Sequence, residues 1–377
     1  MLYDPFRAME PRNRPPTLGY EELVKDISID DIEKVRLVLK GGSVIDWQRL
    51  RFKGAREVDQ FLRVNEYDPA SEEDQRILRY IFQSAVGYLE DNFNYHFPPE
   101  ILDIEDIRDL FLMASSRHDF QNLACIILKV MHIINHIEGQ EARQKLPVTQ
   151  ELLFRAAEDK VSSTVASMID GGFPILQYQA SRKSRDSLIT KLLGKPTTIA
   201  AQIFDRLRFR IITQSVTDIL PVLVYLIRYL FPFNYVVPGE SRNDILKLRR
   251  VIAESDVWKP LLEKLDYDLQ IAEETMPPEN PFSASKFKMI NVVFDLPLRV
   301  ESLLEMAGRK KKNVFASVVF QLVEFQIFDK ETFERNEQGE SSHEAYKNRQ
   351  KWRVINRLIY GGGRPHAPFY RNHKDKN

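Results

Sequence analysis

The apolar residues of this chain first change their period at Gly171 to Pro174. From Tyr20 to about Ile169 they recur every three or four positions, and beyond Gly171-Gly172-Phe173-Pro174 they begin to alternate. The first period buries one face of a helix and the second buries one side of a strand, so helices come first and strands enter only afterwards. Asp74 to Asp91 shows the first pattern, with Ile77, Leu78, Ile81, Phe82, Ala85, Val86 and Leu89 on one face. Asp205 to Thr213 shows the second, with Leu207, Phe209 and Ile211 between Arg206, Arg208 and Arg210. Met289 to Leu296 and Val314 to Ile327 are rich in Val, Phe and Ile, as sheet strands are. Helices are expected again over Ser215 to Tyr229 and around Arg242 to Asp266.

The pattern predicts an α+β protein. A disordered tail over 1–17 precedes an all-helical domain over 18–172 and a second domain over 173–360, in which a mixed β-sheet is flanked by helices. A basic, glycine-rich flexible tail follows over 361–377. A length of 377 residues suits two cores better than one.

Composition limits the partners. Lys plus Arg and Asp plus Glu balance at 54 each, so no overall field draws the chain to nucleic acid or to a membrane. The longest apolar run, Ile219 to Phe233, is broken by Pro221, Arg228 and Pro232 and is too short for a bilayer core of about 30 Å. It reads as a buried helix. Cys125, the single cysteine, excludes an internal disulfide and suits a reducing cytoplasmic setting. The polar, proline-rich start MLYDPFRAMEPRNRPP does not read as a secretion signal.

Two clusters could carry chemistry. Asp205 opens one expected strand and Glu324 lies near the end of another, and carboxylates at neighbouring strand ends are one way to hold Mg²⁺. Glu324 and Gln326 share the strand face opposite Val323, Phe325 and Ile327. A solvated face or a structural ion pair would show the same spacing. Upstream, Arg182, Lys183, Arg185, Ser187 and Lys191 crowd one short segment. On a helix Lys183, Ser187 and Lys191 would form one stripe, suited to a triphosphate. A basic surface helix is the plainer alternative.

The order of the pieces carries more than any one of them. A basic helix, Asp-x-x-x-x-Arg (Asp205 to Arg210), Pro238-Gly239, Glu-x-Gln-Ile (Glu324 to Ile327) and Glu-x-Gly-x-x-x-His-x-x-Tyr-Lys (Glu337 to Lys347) together resemble the synthetase domain of the RelA/SpoT family, over about 178–350. The resemblance implies a nucleotidyltransferase-like fold and Mg²⁺-dependent transfer of pyrophosphate from ATP to the 3′ hydroxyl of GDP or GTP. It implies ATP phosphates on Arg182, Lys183, Arg185 and Lys191, and Mg²⁺ on Asp205 and Glu324, with Arg210 beside them. It also implies an acceptor near Phe287, Asn291 and Gln326, and support from His343, Tyr346 and Lys347.

The chain departs from the family pattern at Arg208, where the family has Gly or Ala, at Asn291 for a histidine and at Phe328 for an arginine. A segment of about thirty residues, from Leu246 to about Phe282, also intervenes. Two other functions fit the same pieces: an enzyme of this fold acting on RNA such as tRNA, drawn by the basic turn Arg309 to Lys312, or an inactive module that binds a nucleotide or a protein. In the helical part, His118-Asp119 precedes His132 and His136. Histidines one turn apart can share a metal, but with no matching second Asp they are expected to be structural.

Overall fold

The structure, a computed structural model, describes residues 15–41, 51–116, 119–194, 206–264, 287–309, 316–338 and 343–360. Helices α1 Tyr20–Asp26, α2 Ile29–Lys40, α3 Ala55–Val64, α4 Glu72–Phe93, α5 Pro99–Leu102, α6 Ile107–Ser115, α7 Gln121–Lys145 and α8 Gln150–Asp170 form the first part. Their starts follow local chemistry. Ser28 and Asp31 form a capping box on α2, and the side chains of Ser71 and Thr149 accept backbone N–H groups at the starts of α4 and α8. At Gly172, with φ at +79°, the chain turns out of α8 in a conformation that favours glycine.

The sheet follows. Its strands are β1 Ile175–Arg182, β2 Leu207–Thr213, β3 Arg242–Asn243, β4 Ile290–Arg299 and β5 Val318–Asp329, in the order β1-β2-β5-β4-β3. The β2–β5 pair is parallel and the other pairs are antiparallel, so the fold is α+β with a mixed sheet. Around it lie α9 Arg185–Gly194, α10 Ile219–Tyr229, α11 Leu248–Glu254, α12 Val300–Met306, α13 Lys330–Asn336 and α14 His343–Tyr360. Among the described residues no helix is long and apolar enough to cross a membrane.

Three expectations shift. The sequence pattern missed β1 because ILQYQASR is largely exposed and its apolar residues do not alternate cleanly. The basic helix starts later than its stripe required. Ser184 Oγ accepts the Ser187 N–H and α9 begins at Arg185, so Arg182 ends a strand and Lys183 lies in the connection. Among the described residues from Arg242 to Lys264, Leu248–Glu254 is α-helical and a 3₁₀ turn follows at Lys259–Lys264, while 265 and 266 lie outside the described residues.

The helices and the sheet share one buried cluster that runs from Leu23 to Ile327. Helix α10 sits deep in it, with Ile219 to Ile227 all buried and Pro221 placed in the first turn, where its missing N–H costs no helical bond. Arg228, the charge that interrupts this run, reaches out to Asp26 at 2.7 Å and Asp31 at 2.6 Å. Burial alone would raise the Asp31 pKa, but the Arg228 and Ser28 hydrogen bonds outweigh it and hold the carboxyl below its ordinary value.

Helix α7 lies directly against β5. Arg143 donates to the Phe320 carbonyl at 2.9 Å and to Gln150 Oε1 at 2.7 Å, while Gln150 donates to Gln321 Oε1 at 2.7 Å. Contact is closest at Gly139, where an added Cβ would stand 2.4 Å from the Phe320 ring and 3.0 Å from the Val318 carbonyl oxygen. Gly139→Ala should therefore destabilise the protein by about 1–3 kcal/mol through overpacking, although alanine favours an exposed helix by about 1 kcal/mol. Denaturant unfolding measures this, and an unchanged or raised midpoint would contradict the α7–β5 packing.

Candidate functional site

Strand register decides which side chains meet. Residues directly opposite on paired strands share a face. Gln179 lies opposite Arg210, Arg210 opposite Gln326, Gln326 opposite Asn291 and Asn291 opposite Arg242, which makes one polar row across all five strands. A second row beside it joins Ser181, Arg208, Glu324 and Val293. On the other face of β5, Val323, Phe325 and Ile327 are fully buried in the core. Strand β5 thus places Glu324 and Gln326 opposite its apolar side, as its sequence implies.

The second row holds an ion pair. Arg208 Nε donates to Glu324 Oε2 at 2.7 Å, and Gln326 Nε2 donates to Glu324 Oε1 at 3.3 Å. Glu324 is only 6% exposed, while the Arg208 side chain is 27% exposed. Glu324 is thus ion-paired across the sheet rather than on a solvated face.

In the first row two polar atoms are left over. Arg210 reaches Gln326 Oε1 through Nη2 at a long 3.4 Å, and its guanidinium lies 5.8 Å from the Phe328 ring and 5.7 Å from the Phe333 ring. Burial, and then the neighbouring Arg208 charge, push the Arg210 pKa below its ordinary value. Asn291 Nδ2 donates to the Glu240 carbonyl at 3.3 Å. Arg210 Nε and Asn291 Oδ1 are nonetheless buried without a hydrogen-bond partner. Arg242 closes the row, bonded to Asp244 at 2.5 Å and to the Phe287 carbonyl at 3.0 Å. Among the described residues, the guanidinium groups of Arg208, Arg210 and Arg242 stand among three carboxylates, with Glu324 on Arg208, Asp244 on Arg242 and Glu337 acting at longer range on Arg210.

The other expected site residues fall in different places. Arg182 lies opposite Leu207 on the core face of the sheet and is tied to Glu151 and Glu158 on α8, so it stands away from the Arg208 row. Lys183 bonds through its N–H to the Arg206 carbonyl at 3.0 Å, at the mouth of the β1–β2 pair. Arg185 is exposed, and Lys191 lies in the last turn of α9. Phe287 packs edge-on against Phe328, with ring centroids 6.5 Å apart. Lys347 is on α14, whose Arg357 donates to the Leu193 carbonyl of α9 at 2.7 Å. His343 and Tyr346 belong to the same helix, with their side chains outside the described residues, and Asp205 lies outside the described residues altogether.

His132 and His136 are hydrogen-bonded to side chains of the second part. His132 Nδ1 accepts from Asn234 at 3.2 Å, and His136 Nε2 donates to Asp295 at 2.7 Å beside Gln140. Tyr67, Asn135 and Tyr235 extend this layer through two bonds of 2.7 Å. His118 lies outside the described residues. Among the described residues, no group of three or more His, Cys, Asp or Glu is placed to hold a metal ion.

No protein-family model matches the chain, and no curated protein does. Among solved structures it is similar to the small alarmone synthetase 1 from Bacillus subtilis bound to its product pppGpp, at 18% identity and a TM-score of 0.30, over 55% of this chain and 89% of that one. The small alarmone synthetase 2 from Bacillus subtilis gives 15% identity and 0.28, over 55% and 97%. A GTP pyrophosphokinase family protein from Streptococcus pneumoniae gives 14% identity and 0.26, over 52% and 82%. Likenesses at this level assign no role to any residue.

The histidine layer has a pH signature. Burial, and then His136, push the His132 pKa down to about 4 from an ordinary 6.5, so the folded state holds this ring neutral while the unfolded chain protonates it. Stability is then complete above the unfolded value and is lost as pH falls from 6.5 toward 4. The unfolding midpoint should decline across that window, and His132→Phe should flatten the decline. Equal slopes in the two proteins would remove His132 as its source.

Proposed function

We propose that the polar face of the sheet binds a nucleotide di- or triphosphate. The single observation that carries this is the first row, in which Arg210 Nε and Asn291 Oδ1 are a donor and an acceptor held in place and left without partners. Buried polar groups are nearly always hydrogen-bonded, and an unpaired one costs about 1–3 kcal/mol. A phosphate oxygen beside Arg210 and a hydroxyl or ring N–H beside Asn291 would satisfy both. Phe287, half-buried next to the same row and backed by the buried Phe328, offers ring surface to a base. Lys183, at the open end of β1, and Lys191 on α9 supply further positive charge on the phosphate side. The resemblance of the basic segment and of the β2 and β5 motifs to a pyrophosphokinase domain supports the same ligand class.

Pyrophosphate transfer to GDP, GTP or RNA asks for more. Mg²⁺ takes hard, unoccupied carboxylate oxygens and loses its water reluctantly. Among the described residues of the two rows the one carboxylate is Glu324, and both of its oxygens already accept hydrogen bonds, one of them from a cation. The described donor set offers Mg²⁺ one carboxylate, already paired with Arg208, and Asp205 lies outside the described residues, so nucleotide binding is the function proposed here. Arg210, set between Phe328 and Phe333, is then a binding group and not a group on a reacting atom.

Calorimetric titration of the full chain with ATP, GDP, GTP and guanosine tests the proposal. The phosphorylated ligands should bind and guanosine should bind at least about tenfold more weakly, with Arg210→Gln removing most of that difference, a change of about 1.4 kcal/mol or more. Equal binding of guanosine, or no binding of any nucleotide, would overturn it. Release of AMP from ATP on addition of GDP, GTP or tRNA would assign the transfer reaction instead.

A further inference from the structure

We propose that the Arg208 guanidinium is the resident cation of this site, occupying the position from which a divalent metal would neutralise Glu324. This rests on the reading of the rows as a nucleotide site and says how that site handles charge. Three features of the structure support it.

The first is position. Arg208 is the residue directly opposite Glu324 at the first rung of the parallel β2–β5 pair, so strand register brings the two together. The second is saturation. With Arg208 Nε on Oε2 at 2.7 Å and Gln326 Nε2 on Oε1 at 3.3 Å, the carboxylate presents to the site as part of a neutral pair. A metal coordinated to either oxygen at about 2.1 Å would lie against a fixed guanidinium, and like charges at that separation repel strongly in a partly buried setting. The third is the neighbourhood. Arg210 lies two residues along β2 on the same face, so a phosphate entering the rows meets a guanidinium beside an already neutralised carboxylate, and guanidinium groups bind phosphate oxygens in a fork without any metal between them.

The consequence is a nucleotide site that works without divalent cation and that one substitution converts. Without the Arg208 charge, Glu324 becomes an anion in need of a partner, and a divalent ion is the partner nearest to hand in ordinary buffers. Phosphates would then be held through that ion in place of the guanidinium.

Two readouts on the full-length chain test this, one of which involves no nucleotide. Nucleotide affinity is measured in excess EDTA and in MgCl₂ for the native protein, Arg208→Gln and Arg208→Lys. The native protein and Arg208→Lys should agree between the two buffers within about twofold, while Arg208→Gln should lose about tenfold or more in EDTA and recover in MgCl₂. Separately, Mn²⁺ binding is followed by electron paramagnetic resonance on the native protein, Arg208→Gln and the double variant Arg208→Gln with Glu324→Gln. An ion gained in the single variant and lost in the double one is the expected result. The near-ultraviolet circular dichroism of each variant checks that it is folded, and Arg208→Lys covers the case in which Arg208→Gln is not.

A native protein whose nucleotide binding vanishes in EDTA would overturn the inference and leave the nucleotide site standing. A native protein that binds no nucleotide in either buffer would remove the nucleotide site, and the Mn²⁺ arm would still decide the role of Arg208. If the folded Arg208→Gln protein gained no Mn²⁺, the idea that Arg208 stands in for a metal would fail.

Discussion

The parallel pairing of β2 with β5 is the constraint on which the rest depends. It sets Phe209 beside Phe325 and Ile211 beside Ile327 on the buried side, and for the same geometric reason sets Arg208 beside Glu324 and Arg210 beside Gln326 on the other. The apolar side fixes the register, because a slip of one residue would send Val323, Phe325 and Ile327 out of the core. Hydrophobic burial thus supplies the energy, and the polar rows inherit their alignment from it. With β4 paired along β5 and β3 beside β4, one register carries a row of polar groups from Gln179 to Arg242.

The helical part is bound to that same strand pair. Helix α7 approaches β5 closely enough at Gly139 to leave no room for a side chain, and Arg143, Gln150 and Gln321 bind the edges of the contact. Between α7 and the sheet lies a polar layer in which Asn135, His132 and His136 each find a partner. Their partners include Tyr235 and Asn234, from the 3₁₀ turn after α10, and Asp295 on β4, so the layer ties the helices to the sheet through directional bonds as well as through burial. A neutral His132 is part of this arrangement, since a protonated ring would lose its role as acceptor for Asn234.

What the sequence makes legible follows from which forces act locally. The change of period at Gly171 to Pro174, the buried helix at Ile219 and strands β2, β4 and β5 could all be read from apolar spacing, because each buries a face of its own. Strand β1 could not, since ILQYQASR gains its place by pairing with β2 and not by burial. The candidate site was half legible. Alternation shows that Glu324 and Gln326 share a face, and that Arg208 and Arg210 share one, but only the pairing of β2 with β5 shows that the two faces are the same. Arg242, two residues of edge strand far along the chain, carries no local signal at all. The basic stripe misled for the converse reason. Spacing of four is meaningful only inside a helix, and Ser184 starts α9 after Lys183.

Folding alone does not account for the polar rows. A buried ion pair such as Arg208–Glu324 contributes little net stability, because losing water from both charges offsets most of their attraction, and apolar residues of similar size would serve the core as well. The row beside it goes further and leaves Arg210 Nε and Asn291 Oδ1 unpaired, which is a loss to the folded state. Unpaired buried oxygens also occur at Asn234 in the histidine layer and at Asp295 and Asp329, but among the described residues only this row sets an unpaired donor beside an unpaired acceptor. A sheet face that keeps two charged arginines, a neutralised carboxylate and two unmet hydrogen-bonding groups in adjacent rows is maintained against its own stability. The partner that would repay this must bring both negative charge for Arg210 and a donor for Asn291, and a phosphorylated nucleoside carries the two on one molecule.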